Sequence, residues 1–172
     1  MIFTSSYNEC NTNKYTAYSI SKDMGKDASY VGKCYLQLAP KENFFRTWRN
    51  NRGKVSEKEN NEYYIREFYH QILEELDPET VYNELDNSIL LCYENNDQFC
   101  HRHIVAAWLE LFLGIEVPEI KIREDNIEIV NKPTYIKEYL ENIIKENKDM
   151  KDFSSLRELY LFEKTEQKKR TM

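Results

Sequence analysis

The sequence has no apolar run near the roughly 20 residues that a bilayer-spanning helix needs. Its mean hydropathy is −0.77, so no membrane partner is expected. The first residues, Met1-Ile2-Phe3-Thr4-Ser5, lack a basic segment followed by an apolar core. No signal peptide is expected on that ground, and the reading is cytoplasmic. There is no excess of positive charge either. The 24 Lys and Arg face 30 Asp and Glu, for a net charge of −6. That removes the global footprint of a nucleic-acid-binding surface while leaving room for a local basic groove. No C-x-x-C pair is present. Cys10, Cys34, Cys92 and Cys100 stand apart, and in a reducing compartment they read as free thiols, ligands or core residues. No internal repeat is visible.

What is present is enough apolar material for a core. Hydrophobic residues make up 41% of the 172 residues and aromatics 13%, which excludes a disordered chain. The length suits one domain with some decoration.

The pattern along the chain alternates. Ile2 to Ser6 reads as a first strand and Tyr15 to Ser21 as a second. Lys22 to Pro40 shows no clear period and reads as a long loop with a short helical turn. Glu42 to Asn50 is expected to be a short helix, ended by Gly53. Ser56-Glu57-Lys58-Glu59 is a capping box. Ile65, Phe68, Tyr69, Ile72, Leu73 and Leu76 then mark one buried helical face. Asp77 and Pro78 stop that helix and start another, with Val81 and Leu85 inward. The continuous apolar run Ser88 to Tyr93 suits a central parallel strand covered on both faces. A helix follows from Cys100 to Leu113 and ends at Gly114. Glu119 to Arg123 and Asn126 to Val130 form a plausible hairpin. An amphipathic helix carries Ile136, Leu140, Ile143 and Ile144. A second capping box at Ser155 to Glu158 starts a short helix with Leu156, Leu159 and Phe162 docked. Lys168-Lys169-Arg170 are expected to be disordered.

The fold class that follows is α/β: a small three-layer Rossmann-like domain with a mostly parallel sheet, plus a C-terminal hairpin and helical extension. The boundaries are an α/β domain over 1–117 and an extension over 118–172 with a charged, partly disordered tail.

One segment points at a site. Strand Ser88 to Tyr93, a polar loop, and a helix opening Cys100-His101-Arg102-His103 would place one cation and two titratable rings on a helix first turn. Unpaired N–H groups and a partial positive charge already lie there. An anion would resolve the conflict; so would an internal salt bridge from Arg102 to Glu94 or Asp97. Cys100 beside these residues is expected to have a lowered pKa, the environment of a nucleophilic thiolate. Its bland reading is a half-buried residue at a strand–helix junction. Zinc on Cys92, Cys100, His101 and His103 is set aside, because adjacent Cys100 and His101 would diverge on a helix. No metal is expected, and no cofactor is named. A Cys92–Cys100 disulfide is thinkable but not expected in the cytoplasm. Thr4, Ser5 and Lys22 could line the same sheet edge. The aromatic middle, Phe44, Phe45, Trp48, Tyr63, Tyr64, Phe68 and Tyr69, reads as core packing before base stacking. Trp108 reads as core.

Leu90-Leu91-Cys92-Tyr93-Glu94 followed by Phe99-Cys100-His101-Arg102-His103-Ile104-Val105-Ala106-Ala107-Trp108-Leu109 resembles the signature of the domain-of-unknown-function family numbered 488. Phe3-Thr4-Ser5-Ser6-Tyr7 and Leu76-Asp77-Pro78-Glu79 resemble its compact branch. The resemblance covers roughly residues 1 to 117. It implies a compact α/β domain with the motif at a sheet edge, and Cys92, Glu94, Cys100, His101 and Arg102 match its hallmark positions. It implies no activity. An arginine-rich segment that the family carries after its second strand is represented here only by Lys22.

The expected function is binding of a phosphate-bearing ligand, a nucleotide or a nucleic-acid end, at the N-terminus of the Cys100 helix. Arg102 would hold the anion, His101 or His103 would act as donor or acid/base, and Thr4 and Ser5 would line the opposite wall. One alternative is a thiol enzyme with Cys100 as nucleophile and His101 as its partner. The other is an interaction module in which the motif is structural.

Overall fold

A computed structural model describes all 172 residues. The six strands are β1 (Ile2–Ser6), β2 (Thr16–Ser19), β3 (Lys33–Cys34), β4 (Ser88–Cys92), β5 (Glu119–Arg123) and β6 (Asn126–Val130). They form one sheet in the order β3-β2-β4-β1-β5-β6. Every pairing is parallel except β5 with β6. The fold is therefore α/β with a mostly parallel sheet, as the alternation of elements predicts.

β4 is central, and all five of its residues are buried. Leu90 joins the large helical core, while Ile89 and Leu91 join Ile120 and Ile122 on the opposite face. This two-sided burial is the reason its apolar run is unbroken. Six helices build the large core: α1 (Glu42–Asn51), α2 (Glu57–Gln71), α3 (Pro78–Leu85), α4 (His101–Leu113), α5 (Tyr135–Lys145) and α6 (Leu156–Thr171). The third layer is thin. Phe3, Tyr7, Tyr15 and Tyr30 pack over the opposite sheet face from strands, loops and 3-10 turns. No helix is long and apolar enough to cross a membrane.

The caps behave as their chemistry requires. Ser56 Oγ accepts from Glu59 N at 3.1 Å, Asp77 from Thr80 N at 3.0 Å, and Ser155 from Glu158 N at 3.1 Å. Each satisfies an orphan donor of a first turn. Gly114 ends α4 in the left-handed region at φ 64° and donates to Glu110 O at 3.0 Å. The Arg157 side chain packs directly against it and bonds Leu113 O. Gly114→Ala meets both a backbone penalty and that side chain. It is expected to cost about 1–2 kcal/mol, a fall of about 2–8 °C in a melting curve. An unchanged Tm would remove this account of the α4 terminus.

Four expectations change. The Lys22–Pro40 loop contains two 3-10 turns and also the two-residue edge strand β3. A strand that short has no readable alternation. Lys168, Lys169 and Arg170 lie in the last turn of α6, where cations meet the negative end of the helix dipole. Phe162, expected to dock, is 51% exposed, while Tyr160 is buried instead. The segment after Val117 also does more than extend a finished domain. β5 pairs with β1 at Thr4↔Glu119, and α5 packs on α4 and α2.

Candidate functional site

Because β1, β2 and β4 are parallel, Ser6, Ser19 and Cys92 end at one sheet edge. α4 begins at that edge. Cys100 is its N-cap, extended at φ −154° and ψ 145°, and its side chain caps nothing. This conformation overturns the geometric premise against a shared centre. An extended N-cap does not follow helical side-chain spacing, so Cys100 and His101 converge rather than diverge. The ligand atoms of Cys92, Cys100 and His101 all lie within 4.8 Å of one another, and all three residues are buried. Both cysteines are free thiols.

His101 is held by its far nitrogen. Nε2 is 2.7 Å from Ile20 O. A carbonyl only accepts, so Nε2 carries a proton, and in the neutral ring Nδ1 is left bare. That Nδ1 is 3.6 Å from Cys92 Sγ. A relay of hydroxyls reaches the same sulfur. Ser21 Oγ donates to Cys92 Sγ at 3.6 Å, and Tyr7 Oη lies 2.7 Å from Ser21 Oγ and 2.6 Å from Ser19 Oγ. With Ser21 committed to sulfur, Tyr7 donates to Ser21 and Ser19 to Tyr7. Glu94 closes the group, accepting from Cys92 Sγ at 3.5 Å.

Ser21, Cys92, Glu94, Cys100 and His101 line a cavity of about 400 Å³. Phe45, Trp48, Tyr64, Tyr93 and Phe99 supply its aromatic walls, and Lys22, Arg49, Asp23, Asp27 and Glu94 its charges. Asp23 is already engaged: it accepts from Tyr93 Oη and from Gly25 N at 2.8 Å. Lys22 pairs with Glu42. Arg49 makes no ion pair and lies over the Phe45 ring at 5.7 Å.

The remaining expected residues lie elsewhere. Arg102 does not line the cavity. It is fully buried and donates Nε and Nη2 to Glu119 of β5, the shortest bond being 2.7 Å. Its partner is neither Glu94 nor Asp97, and the first-turn cation is neutralised internally. Thr4 Oγ1 donates to the same carboxylate at 2.5 Å, and Ser5 Oγ to Ile120 O at 2.6 Å. Both hydroxyls are buried ties between β1 and β5, not a cavity wall. His103 is buried behind the site with no hydrogen-bond partner on either ring nitrogen. Burial, then the neighbouring Arg102, hold its pKa down to about 2, so it is not an acid/base group near neutral pH. Cys100 also departs from expectation. Burial, reinforced by Cys92, pushes its thiol well above the ordinary range. Desolvation outweighs the helix terminus and Arg102 here.

The expectation thus finds Cys92, Glu94, Cys100, His101 and Lys22 together and separates Arg102, His103, Thr4 and Ser5 from them. It missed Tyr7, Ser21, Arg49 and Tyr93. Ser19 and Ser21 stand two apart at a strand end, a usable signal for hydroxyls at one edge. The aromatic middle is mostly core, as expected, but Phe45, Trp48 and Tyr64 also face the cavity.

The mostly parallel six-stranded sheet with its helices makes this an α/β protein of the Rossmann-like class. Within it, residues 5–112 match the family described as the active DUF488-N3 subclade, and the chain belongs to the DUF488 family. No curated protein and no solved structure matches the chain.

Proposed function

We propose that the chain binds a phosphate-bearing ligand with a planar ring, a nucleotide or a nucleic-acid end, in the cavity at the start of α4. The observation that carries this reading is Arg49, a cation without an ion-pair partner at the mouth of an aromatic-walled cavity. A phosphate would complete its charge, and a base would stack on Trp48, Tyr64 or Phe99. The position outside the carboxyl ends of parallel strands supports the same reading. Arg49 and Lys22, rather than Arg102, are the anchors. In a thermal-shift panel, a nucleoside monophosphate at 100 times its Kd should add about 2.7 kcal/mol, or about 5–11 °C. The matching nucleoside should add far less, and Arg49→Ala should abolish the difference. Equal shifts from nucleotide and nucleoside, or no shift from either, would sink the reading.

A second reading has its own support. Bare Nδ1 of His101 beside Cys92 Sγ is a cysteine–histidine pair. If the chain is a thiol enzyme, the nucleophile is Cys92, the sulfur that faces His101 Nδ1, and not Cys100. Iodoacetamide labelling followed by peptide mapping should then modify Cys92 first; faster labelling of half-buried Cys34 with Cys92 untouched would exclude it.

A further inference from the structure

We propose that Cys92, Cys100 and His101 form a zinc site with an open fourth position facing the cavity. Zinc is held by cysteine sulfur at about 2.3 Å and histidine nitrogen at about 2.0–2.1 Å in tetrahedral array. Those bond lengths separate a sulfur from a nitrogen ligand by about 3.6 Å. Cys92 Sγ and His101 Nδ1 are 3.6 Å apart, and Cys100 Sγ completes a set within 4.8 Å. The Cys92–His101 pair therefore already has the spacing of one coordination shell, and Cys100 Sγ lies within reach of it.

The surroundings fit a metal better than they fit two adjacent thiols. His101 presents the unprotonated nitrogen to the sulfurs because its other nitrogen donates to Ile20 O. A carbonyl or carboxylate behind the ring is the usual support of a metal-bound histidine. The hydroxyl relay Ser19–Tyr7–Ser21 ends by donating to Cys92 Sγ. That donor favours a sulfur carrying negative charge, and with the Glu94 carboxylate 3.5 Å from the same sulfur a cation is needed to hold the two negative charges together. Two thiolates and a neutral imidazole around Zn²⁺ sum to zero charge, which removes the cost of burying a thiolate alone. Soft sulfur donors select zinc over magnesium or calcium. On binding, two S–H bonds break, two Zn–S bonds form, and two protons leave to solvent. Three protein ligands with one position left to water or ligand is the pattern of reactive rather than purely structural zinc sites.

The proposal does not depend on the nucleotide reading, and its test uses metal alone. The full chain, purified under reducing conditions and stripped with chelator, is titrated with Zn²⁺ by calorimetry. Stoichiometry is checked by native mass spectrometry, and Co²⁺ is substituted to read thiolate-to-cobalt charge transfer and tetrahedral d–d bands. One metal per chain with those bands is expected. Cys92→Ser, Cys100→Ser and His101→Ala should each weaken binding at least about tenfold, whereas Cys34→Ser and His103→Leu should retain it. Circular dichroism confirms that each variant is folded; should the site variants fail to fold, the cobalt spectrum of the unaltered chain decides. Absence of binding at micromolar Zn²⁺, a cobalt spectrum without thiolate charge transfer, or equal binding by Cys92→Ser would overturn the site.

Discussion

Glu119→Ala should destabilise the protein by about 3–5 kcal/mol, because it leaves the Arg102 guanidinium buried without its counter-charge. For a chain of this length that is a fall of about 6–20 °C in Tm. Arg102 is fully buried, and Glu119 takes both of its bonded nitrogens, while Nη1 has no partner even in the intact protein. The same substitution strips Thr4 Oγ1 of its acceptor. The cost comes from breaking the pair and not from a large net gain in having it. Arg102→Met/Glu119→Leu should therefore recover most of the loss, since apolar replacement of both ions removes two desolvation penalties. Differential scanning fluorimetry of the single and double variants is sufficient. A single-variant fall below about 2 °C, or a double variant no better than the single, would show that the pair does not have this role.

The pair also positions the site. His101 and Arg102 are successive residues of α4, about 100° apart around its axis. One points to the cavity and the other to β5. Anchoring Arg102 on β5 sets the rotation of the first turn, and with it the direction in which His101 presents Nδ1 to Cys92. The residues after Val117 lie beyond the part that matches the family, 5–112, yet Glu119 is the first residue of β5 and holds the motif in place.

That division explains what was legible in the sequence. Signals that act over a few residues were readable. The caps at Ser56, Asp77 and Ser155, the unbroken apolar β4 and the β5–β6 alternation all specify structure locally. The Cys92–Glu94 and Cys100–His101 cluster was legible as a place because a strand followed by a helix fixes both at one edge. The partner of Arg102 was not, because nothing near the motif marks a carboxylate on the far side of β1. Nor was the convergence of Cys100 with His101. Cys100 is an extended N-cap outside the helical spacing, and a shift of one residue in the helix boundary reverses the direction of a side chain. The Cys100 pKa failed for a related reason. A helix N-terminus is visible in sequence, but complete enclosure is not, and here burial is the larger effect.

His103 should make the protein acid-labile, and His103→Leu should remove that lability. Its pKa is held down to about 2 in the fold, against about 6.5 in an unfolded chain. Above pH 6.5 the ring is neutral in both states and titration contributes nothing. Below it the unfolded chain takes up a proton that the folded chain refuses, so stability falls as pH falls, down to about pH 2. The slope from this one group averages about 1 kcal/mol per pH unit below pH 6.5, so moving from pH 6.5 to 4.5 costs on the order of 2 kcal/mol. Glu119 does not rescue the charge. Its nearer oxygen is 3.7 Å from Nδ1, and the carboxylate already serves Arg102 and Thr4. Leucine cannot be protonated, and it also deletes two buried ring nitrogens that have no hydrogen-bond partner. At pH 7.5 the variant should therefore equal or exceed the native protein, by up to about 3 kcal/mol. Its advantage should then widen as pH falls. Urea unfolding of both proteins between pH 7.5 and 4.5 isolates the term, because every other titrating group is common to the two. Parallel stability curves would mean that His103 takes up its proton in the folded state as readily as in the unfolded one.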